Sequence, residues 1–325
     1  MKYDRIKGLE KDISRMVFGC DWLYCDSPEK REQSFRALDA VYAVGCNALD
    51  TAHIYCGGES ERAIGSWMEA RGNRENIVVL TKGAHHNRDR RRVTPYDIES
   101  DIHDSLARLR SGYIDIYVLH RDDPAVNVGP IVEELNSLRA RGMIRAFGGS
   151  NWTNQRIEQA NEYAYKRSLQ PFTASSPNFG LAEQVQNPWG EGCVGLNGTD
   201  RKEAREWYER NRDVKIFAYS SLARGFFSGR ITSGMSVEQG KGLLDQAAFT
   251  AYFHPVNLKR LARVEEMARD KGLTVPQIAV AYALNHPLGI FSLQAPRTPE
   301  EMIQNNEAID LMLTSDEMAW LNLER

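Results

Sequence analysis

A carboxylate, a phenol, an ammonium and an imidazole occur at Asp50, Tyr55, Lys82 and His120. Asp50, Lys82 and His120 each close an apolar, strand-like run, and Tyr55 follows Asp50 by five residues in the loop. In a parallel sheet the C-terminal strand ends gather on one face, so the four side chains could share a site. A free tyrosine, with a pKa of about 10, is a weak acid at neutral pH. A neighbouring ammonium lowers that value by favouring the phenolate, a part Lys82 could play while Asp50 holds it charged and in place. His120 could hydrogen-bond and orient a substrate oxygen. A general acid/base beside an oxygen-binding group suits reduction of a carbonyl or oxidation of an alcohol. The hydride requires a cofactor, because no side chain carries one. Taken singly, a strand-end lysine or aspartate is more often a paired or solvated charge. The four together, at successive strand ends, favour the chemical reading.

The elements that must position these groups are legible as apolar runs separated by helical patterns. The runs cover residues 14–20, 46–50, 76–82, 113–120, 143–150, 172–176, 214–220 and 289–293. They are continuously apolar rather than alternating, as expected of strands buried on both faces. Between them, Ile98, Ile102, Leu106 and Leu109 form one helical stripe, with Thr94 as cap and Pro95 at the first helical position. The segment "PIVEELNSLRARG" repeats the arrangement and stops at Gly142, and Thr274 can cap "VPQIAVAYALNH". Eight such strands alternating with helices predict one (β/α)₈ barrel domain spanning residues 1–325, with a doubly wound open sheet as the alternative. Two long stretches, residues 177–198 and 223–255, read as irregular. They leave from C-terminal strand ends, where lids and binding loops are expected.

Bulk properties exclude several classes. The 325-residue chain is 42% apolar, enough for a sizeable core, and carries a net charge of −3. That gives no bulk electrostatic case for nucleic acid or an anionic membrane. No run of 18 apolar residues is present, so no transmembrane helix is expected. The first residues are charged without an apolar h-region, and five cysteines, Cys20, Cys25, Cys46, Cys56 and Cys193, form no C-x-x-C. Both point to a reduced cytoplasmic protein.

Three segments carry a family resemblance. These are "GCNALDTAHIYCGGESE" (residues 45–61), "LARLRSGYIDIYVLHRDD" (106–123) and "GMIRAFGGSN" (142–151). With them the chain resembles the aldo-keto reductases over nearly its whole length. The resemblance implies that Tyr55 is the acid, that Lys82 and Asp50 tune it, and that His120 binds the substrate oxygen. It implies a nicotinamide cofactor, NADP(H) favoured and NAD(H) possible. By position, Ser150 and Asn151 match the pair that binds the carboxamide, and Tyr219 the aromatic that stacks on the nicotinamide ring. Ser221, Leu222 and Gly225 match the pyrophosphate segment. Arg297 is the expected 2′-phosphate partner at the start of a helix, where Thr298 can cap and an anion is well placed. Gln304 and Asn305 match the adenine contacts.

The chain departs from the family pattern at four points. Cys56 follows the tyrosine where many relatives have glycine. Ala174 stands where the sixth strand often carries a glutamine. Glu301 stands where the phosphate-binding helix often carries an arginine, and its charge would oppose a 2′-phosphate. The 177–198 stretch is longer than in many relatives.

Other signals are weaker. Residues 190–195 read G-E-G-C-V-G, but no strand precedes them directly and no helix opens within them, as a dinucleotide fold requires. His85 and His86 alone do not make a metal site, and no metal is expected. The basic run Arg88, Arg90, Arg91 and Arg92 reads first as a solvated loop, with an anionic substrate or cofactor phosphate as the alternative. Trp22, Trp152 and Trp189 lie on or beside the active-face loops and could stack on a sugar ring, Trp22 best. The expectation is thus an NADP(H)-dependent reductase of a small polar or sugar-like aldehyde or ketone. Alternatives are an NAD-dependent sugar dehydrogenase, an epimerase or lyase with tightly held nucleotide, and a non-catalytic nucleotide-binding redox sensor. Oligomeric state is left open.

Overall fold

A computed structural model describes residues Met1–Arg325, apart from the side chain of Thr199. Two short strands, β1 (Tyr3–Asp4) and β2 (Ile13–Ser14), pair as an antiparallel hairpin. Eight parallel strands follow: β3 (Met16–Gly19), β4 (Ala48–Asp50), β5 (Val78–Gly83), β6 (Ile114–Leu119), β7 (Ile144–Ser150), β8 (Ala174–Ser176), β9 (Lys215–Ala218) and β10 (Phe291–Gln294). Each pairs with the next, and β10 returns to β3, closing the barrel. Helices stand between successive strands, so the architecture is the expected (β/α)₈ barrel.

Both faces of the strands are apolar, which explains the continuous runs in the sequence. Val17, Val78, Leu80, Ile116, Val118, Ala146, Ala174, Phe217 and Leu293 fill the barrel interior. Phe18, Leu49, Val79, Tyr117, Leu119, Phe147 and Ile216 belong to the separate cluster between sheet and helices. Phe217 and Phe291 stack inside the barrel with ring centroids 4.5 Å apart. The N-terminal hairpin, which the sequence reading does not anticipate, closes the base by delivering Ile6, Leu9 and Ile13 to that interior cluster. Lys215 on β9 ties it down through Asp4, Nζ to Oδ2 3.0 Å.

The helix signals act as expected. Thr94 accepts from the N–H of Asp97 at the start of helix Pro95–Leu109, and on helix Val275–Asn285 the Gln277 side chain reaches back to accept from the Thr274 N–H (2.9 Å). The 223–255 stretch differs from expectation. It contains helices Val237–Leu243 and Gln246–Tyr252, and Pro255 opens helix Pro255–Lys271. Phe226, Phe227, Ile231, Ala248 and Tyr252 are buried within it. Gly240 is there for packing: a Cβ would lie 2.2 Å from the Phe253 ring. An aromatic cluster therefore docks most of this segment. The 177–198 stretch carries no helix or named strand but is pinned. Asn178 and Val194 bond through the backbone (2.8 Å), and the Asn257 side chain clamps both backbone groups of Glu183.

Gly148 on β7 is the tightest backbone approach in the barrel, since a Cβ there would lie 1.7 Å from the carbonyl oxygen of Ala174. Overpacking of this kind, against backbone that cannot rotate away, costs about 3 kcal/mol or more. We expect Gly148→Ala to lower stability by that amount in urea unfolding. Gly112→Ala, with nothing near its Cβ, should shift it by less than about 0.5 kcal/mol. Similar midpoints for the two variants would contradict this packing account.

Candidate active site

The barrel brings the four chemistry-bearing residues together. Asp50 ends β4 and Lys82 is the penultimate residue of β5, both with side chains almost wholly buried, and their charged atoms lie 2.6 Å apart. Lys82 Nζ also donates to the carbonyl of Thr51 (2.9 Å) and to the Tyr55 hydroxyl (3.3 Å). His120, one residue past β6, packs edge-on against the Tyr55 ring with centroids 5.8 Å apart. The ammonium thus has three oxygen partners, one each of carboxylate, amide and phenol.

The Tyr55 loop is held from behind. Cys56, Gly57 and Gly58 have φ of 51°, 64° and 92°, a left-handed run that turns the chain sharply after the phenol. Arg108, from the helix before β6, donates to the carbonyl of His53 (2.8 Å) and to the buried carboxylate of Glu61 (3.2 Å). Glu61 in turn accepts from Thr81 (2.7 Å), next to Lys82. A side chain at residue 58 would strike the Arg108 guanidinium, 2.7 Å from the built Cβ. Strand β5 and the tyrosine loop are therefore fixed to each other by one buried network.

Protonation follows from burial and charge together. Burial raises the Asp50 carboxyl above its ordinary value, against the pull of Lys82. Burial would lower Lys82, but Asp50 and Tyr55 outweigh it and keep the ammonium above its usual range. Tyr55 is raised: crowding by protein atoms disfavours the phenolate more than Lys82 favours it. The sequence expectation, a phenol tuned down toward neutral pH, is thus corrected for the free protein. Lys82 pulls in the expected direction, yet desolvation wins. His120 is pushed well below its ordinary value by burial and then by Lys82, so the imidazole is neutral.

The nicotinamide-matching residues lie on the same face. Ser150 ends β7 and donates to the carbonyl of Ser176 (2.9 Å). The Asn151 amide is saturated by protein. Its Nδ2 reaches Ser150 Oγ (3.2 Å) and the His120 carbonyl (3.5 Å), and its Oδ1 accepts from Tyr219 (2.9 Å) and the Val194 N–H (3.1 Å). A carboxamide would have to exchange with these bonds. The Ser220–Gly225 turn, with Ser221 buried and Leu222 half-buried, has Ser220, Ala223, Arg224 and Gly225 at φ of 58°, 50°, 51° and 92°. Left-handed non-glycine residues store about 1–3 kcal/mol each and cluster at ligand sites. Six of the nine here, Cys56, Ala84, Asn151, Ser220, Ala223 and Arg224, follow C-terminal ends of barrel strands. The same face holds buried polar atoms without a protein partner, including Asp21 Oδ1, Trp22 Nε1, His120 Nδ1 and Gln294 Oε1. Unsatisfied groups gathered in one place fit a polar ligand with several hydrogen-bonding groups, as a dinucleotide has.

At the far end, Thr298 caps helix Pro299–Glu307 by accepting from the Glu301 N–H (3.2 Å). Glu301 Oε2 accepts from the Arg297 N–H (2.7 Å). The Arg297 side chain is half-exposed and lies over the Trp22 ring (5.1 Å), with Asp21 3.9 Å away. Gln304 is half-buried and Asn305 buried. The tryptophans separate. Trp22 is partly buried under Arg297, and Trp189 is exposed above Tyr219 with ring centroids 6.1 Å apart. Trp152 is 1% exposed, packs on Phe172 and donates to the Arg121 carbonyl, so it belongs to the core rather than the mouth.

Sequence reasoning missed Asp21, Arg121 and Cys193. Asp21 could have been noticed two residues beyond β3, and Arg121 directly after His120. Cys193 had no signal, because only the folded loop brings it to Arg121. His85 and His86 stack 4.2 Å apart, and His85 packs edge-on against His120 at 4.9 Å. Among the described residues no cluster of three metal-ligating side chains occurs.

Comparison with known proteins agrees with this geometry. The aldo/keto reductase family model matches residues 16–322. The aryl-alcohol dehydrogenase [NADP(+)] of Phanerodontia chrysosporium is 28% identical, over 95% of this chain and 80% of that protein. The aldo-keto reductase YhdN of Bacillus subtilis is 26% identical, over 99% and 93%. Among solved structures, an aldo-keto reductase from Klebsiella pneumoniae in complex with NADPH superimposes with TM-score 0.73 at 22% identity, covering 100% of this chain and 95% of that one. The glycerol dehydrogenase AKR11B4 of Gluconobacter oxydans does so with TM-score 0.77 at 22% identity, covering 98% and 94%. The structural likenesses bear on fold alone; with a family model matched from the first barrel strand to the last helix, the chain belongs to the aldo/keto reductase family.

Proposed function

We propose that this protein reduces an aldehyde or ketone to the alcohol, with Tyr55 as proton donor. The observation that carries the reading is the Lys82 ammonium, bonded at once to the Asp50 carboxylate and the Tyr55 hydroxyl beside a neutral His120. A reduced nicotinamide supplies the hydride when bound. Tyr55, neutral in the free protein, gives its proton to the carbonyl oxygen as negative charge develops there. Lys82, charged throughout, stabilises the phenolate left behind, and Asp50 keeps that charge from being lost. The neutral imidazole of His120 offers an N–H to the same oxygen without competing for the proton. Ser150, Asn151 and Tyr219 would hold the nicotinamide end, the Ser221–Leu222–Gly225 turn the pyrophosphate, and Gln304 and Asn305 the adenine side.

A small polar or sugar-like carbonyl is the substrate class we favour. Trp22 and Trp189 supply aromatic faces at the mouth, and the glycerol dehydrogenase neighbour acts on a polyol by its name. Five free cysteines support a reducing compartment such as the cytoplasm. NADP(H) is favoured on the strength of Arg297 and of relatives named for NADP(+) or solved with NADPH. Glu301 opposes it locally, with its carboxylate held at the start of the helix that would receive the 2′-phosphate.

Three outcomes test these assignments. With a carbonyl and sugar panel followed by nicotinamide absorbance, Tyr55→Phe should lower turnover of the best substrate by about 10²–10⁴, the usual worth of a positioned general acid. Near-normal turnover would rule this mechanism out. Lys82→Met leaves Asp50 buried without its partner and should cost about 3–5 kcal/mol in urea unfolding. Pairing it with Asp50→Leu should recover most of that, and no recovery would mean that the loss comes from packing. For the cofactor, a charge-assisted bond of about 1.5–3 kcal/mol corresponds to roughly 10–100-fold in affinity. Arg297→Ala should weaken NADPH by that factor in fluorescence titration and leave NADH nearly untouched, while Glu301→Gln should tighten NADPH. Equal losses for both nucleotides would remove Arg297 from the phosphate site.

A further inference from the structure

Three arginines of the basic segment before helix Pro95–Leu109 are spent in ion pairs, while the exposed Arg88 has none among the described residues. Arg90 engages Asp97 through two short bonds, Arg92 bridges Asp97 and Asp101, and Arg91 reaches Asp123. The acids that follow His120 are turned the same way, because Asp122 pairs with Arg156 at 2.9 Å and Asp123 is taken by Arg91. A half-buried guanidinium beside His120 is also left out. Arg121, half-buried and directly after His120, has no carboxylate within ion-pair distance among the described residues. Its Nε is buried with no hydrogen-bond partner. Its one side-chain bond is from Nη1 to the Cys193 thiol, 3.4 Å, a weak acceptor on the 177–198 loop. Burying an arginine donor without an acceptor costs free energy, so the arrangement calls for an anion to complete it.

Its surroundings say where that anion would sit. The Cys193 contact sets the guanidinium against the loop whose next residue, Val194, donates to Asn151 Oδ1 (3.1 Å), and Asn151 Nδ2 in turn reaches the His120 carbonyl (3.5 Å), so Arg121 sits beside the oxygen-binding pair. His85 and His86 lie on the same side, and His85 touches His120. Among the described residues no acidic side chain pairs with Arg121, His85 or His86. A planar guanidinium with free N–H groups matches the two oxygens of a carboxylate or phosphate.

Resting on the reductase reading, we propose that Arg121 is a specificity-determining residue that binds a compact anionic group of the substrate, so that the preferred substrates are oxo acids or phosphorylated carbonyl compounds rather than neutral ones. The carbonyl then lies between Tyr55 and His120 while the anion is held by Arg121, and the 177–198 loop yields the Cys193 contact to it.

Matched pairs test this. Butanal and 4-oxobutanoate differ by one carboxylate, and glyceraldehyde and glyceraldehyde 3-phosphate by one phosphate. The wild-type enzyme should favour at least one anionic member in kcat/KM. Arg121→Met should cut that preference roughly 10–100-fold, mainly through KM. Arg121→Lys, which keeps the charge and loses the fork, should fall between. The pair that responds identifies carboxylate or phosphate as the natural anion. A second arm needs no turnover: calorimetric binding of 4-hydroxybutanoate and of glycerol 3-phosphate to both forms, with reduced nucleotide present, a pair between which no hydride can pass. Weaker binding of either anion by the variant supports the site. An unchanged preference ratio, or equal binding of both anions by wild type and variant, overturns it. Turnover of none of the carbonyl compounds, with anion binding still dependent on Arg121, would instead sink the reductase reading and leave the anion site standing.

Discussion

An ion pair buried at the mouth of the barrel is the constraint on which the site depends. Taking Asp50 and Lys82 out of water costs several kcal/mol per charge, and their attraction repays this only in good geometry with the remaining donors satisfied. The structure meets both conditions: the charged atoms are 2.6 Å apart, and the Thr51 carbonyl and the Tyr55 hydroxyl take the other ammonium protons. The phenol is therefore part of what makes the buried lysine tolerable. Structural and chemical roles converge on one ammonium, and neither partner can change without disturbing the other.

That arrangement requires two strands and one loop to keep their relative positions. Asp50 and Lys82 sit on neighbouring strands whose register pairs Asp50 with Leu80. Arg108 and Glu61 lock the tyrosine loop to β5 from the helix side. The face they build is strained and under-satisfied, with left-handed turns after four strands and several orphaned polar atoms. The base, by contrast, is closed by the hairpin side chains of Ile6, Leu9 and Ile13. One end of the barrel carries the stability and the other carries the unsatisfied chemistry, the usual division of labour in this architecture.

Much of this was legible in the sequence, for identifiable reasons. Strands buried on both faces write themselves as unbroken apolar runs, so all eight barrel strands could be placed. Asp50, Lys82 and His120 stood out because charged or polar residues end those runs. The hairpin was not legible, since its two-residue strands carry no pattern. The helices within 223–255 were hidden by their glycines, of which Gly240 makes room for Phe253. Trp152 looked like a mouth residue, and only tertiary packing turns it inward against Phe172. Arg121 was overlooked because whether an arginine has a partner is a property of the folded surface. The direction of the Tyr55 shift was missed for the same kind of reason. A sequence shows that a lysine can lie nearby, but not how much water the fold removes from the phenol.

The central claim is that Tyr55 acts as a neutral acid, kept protonated by burial and supported by a permanently charged Lys82. The most direct measurement is the pH dependence of a single turnover, with enzyme in excess over a neutral aldehyde and saturating reduced nicotinamide. Because the phenol is raised above its ordinary value, the reactive protonated form should persist across neutral pH. The rate should then fall only above about pH 10. A rate that declines from near neutrality upward would place the phenol's titration far lower than this account allows. A rate that rises with pH through the neutral range would show that the reaction needs a base where this account places an acid.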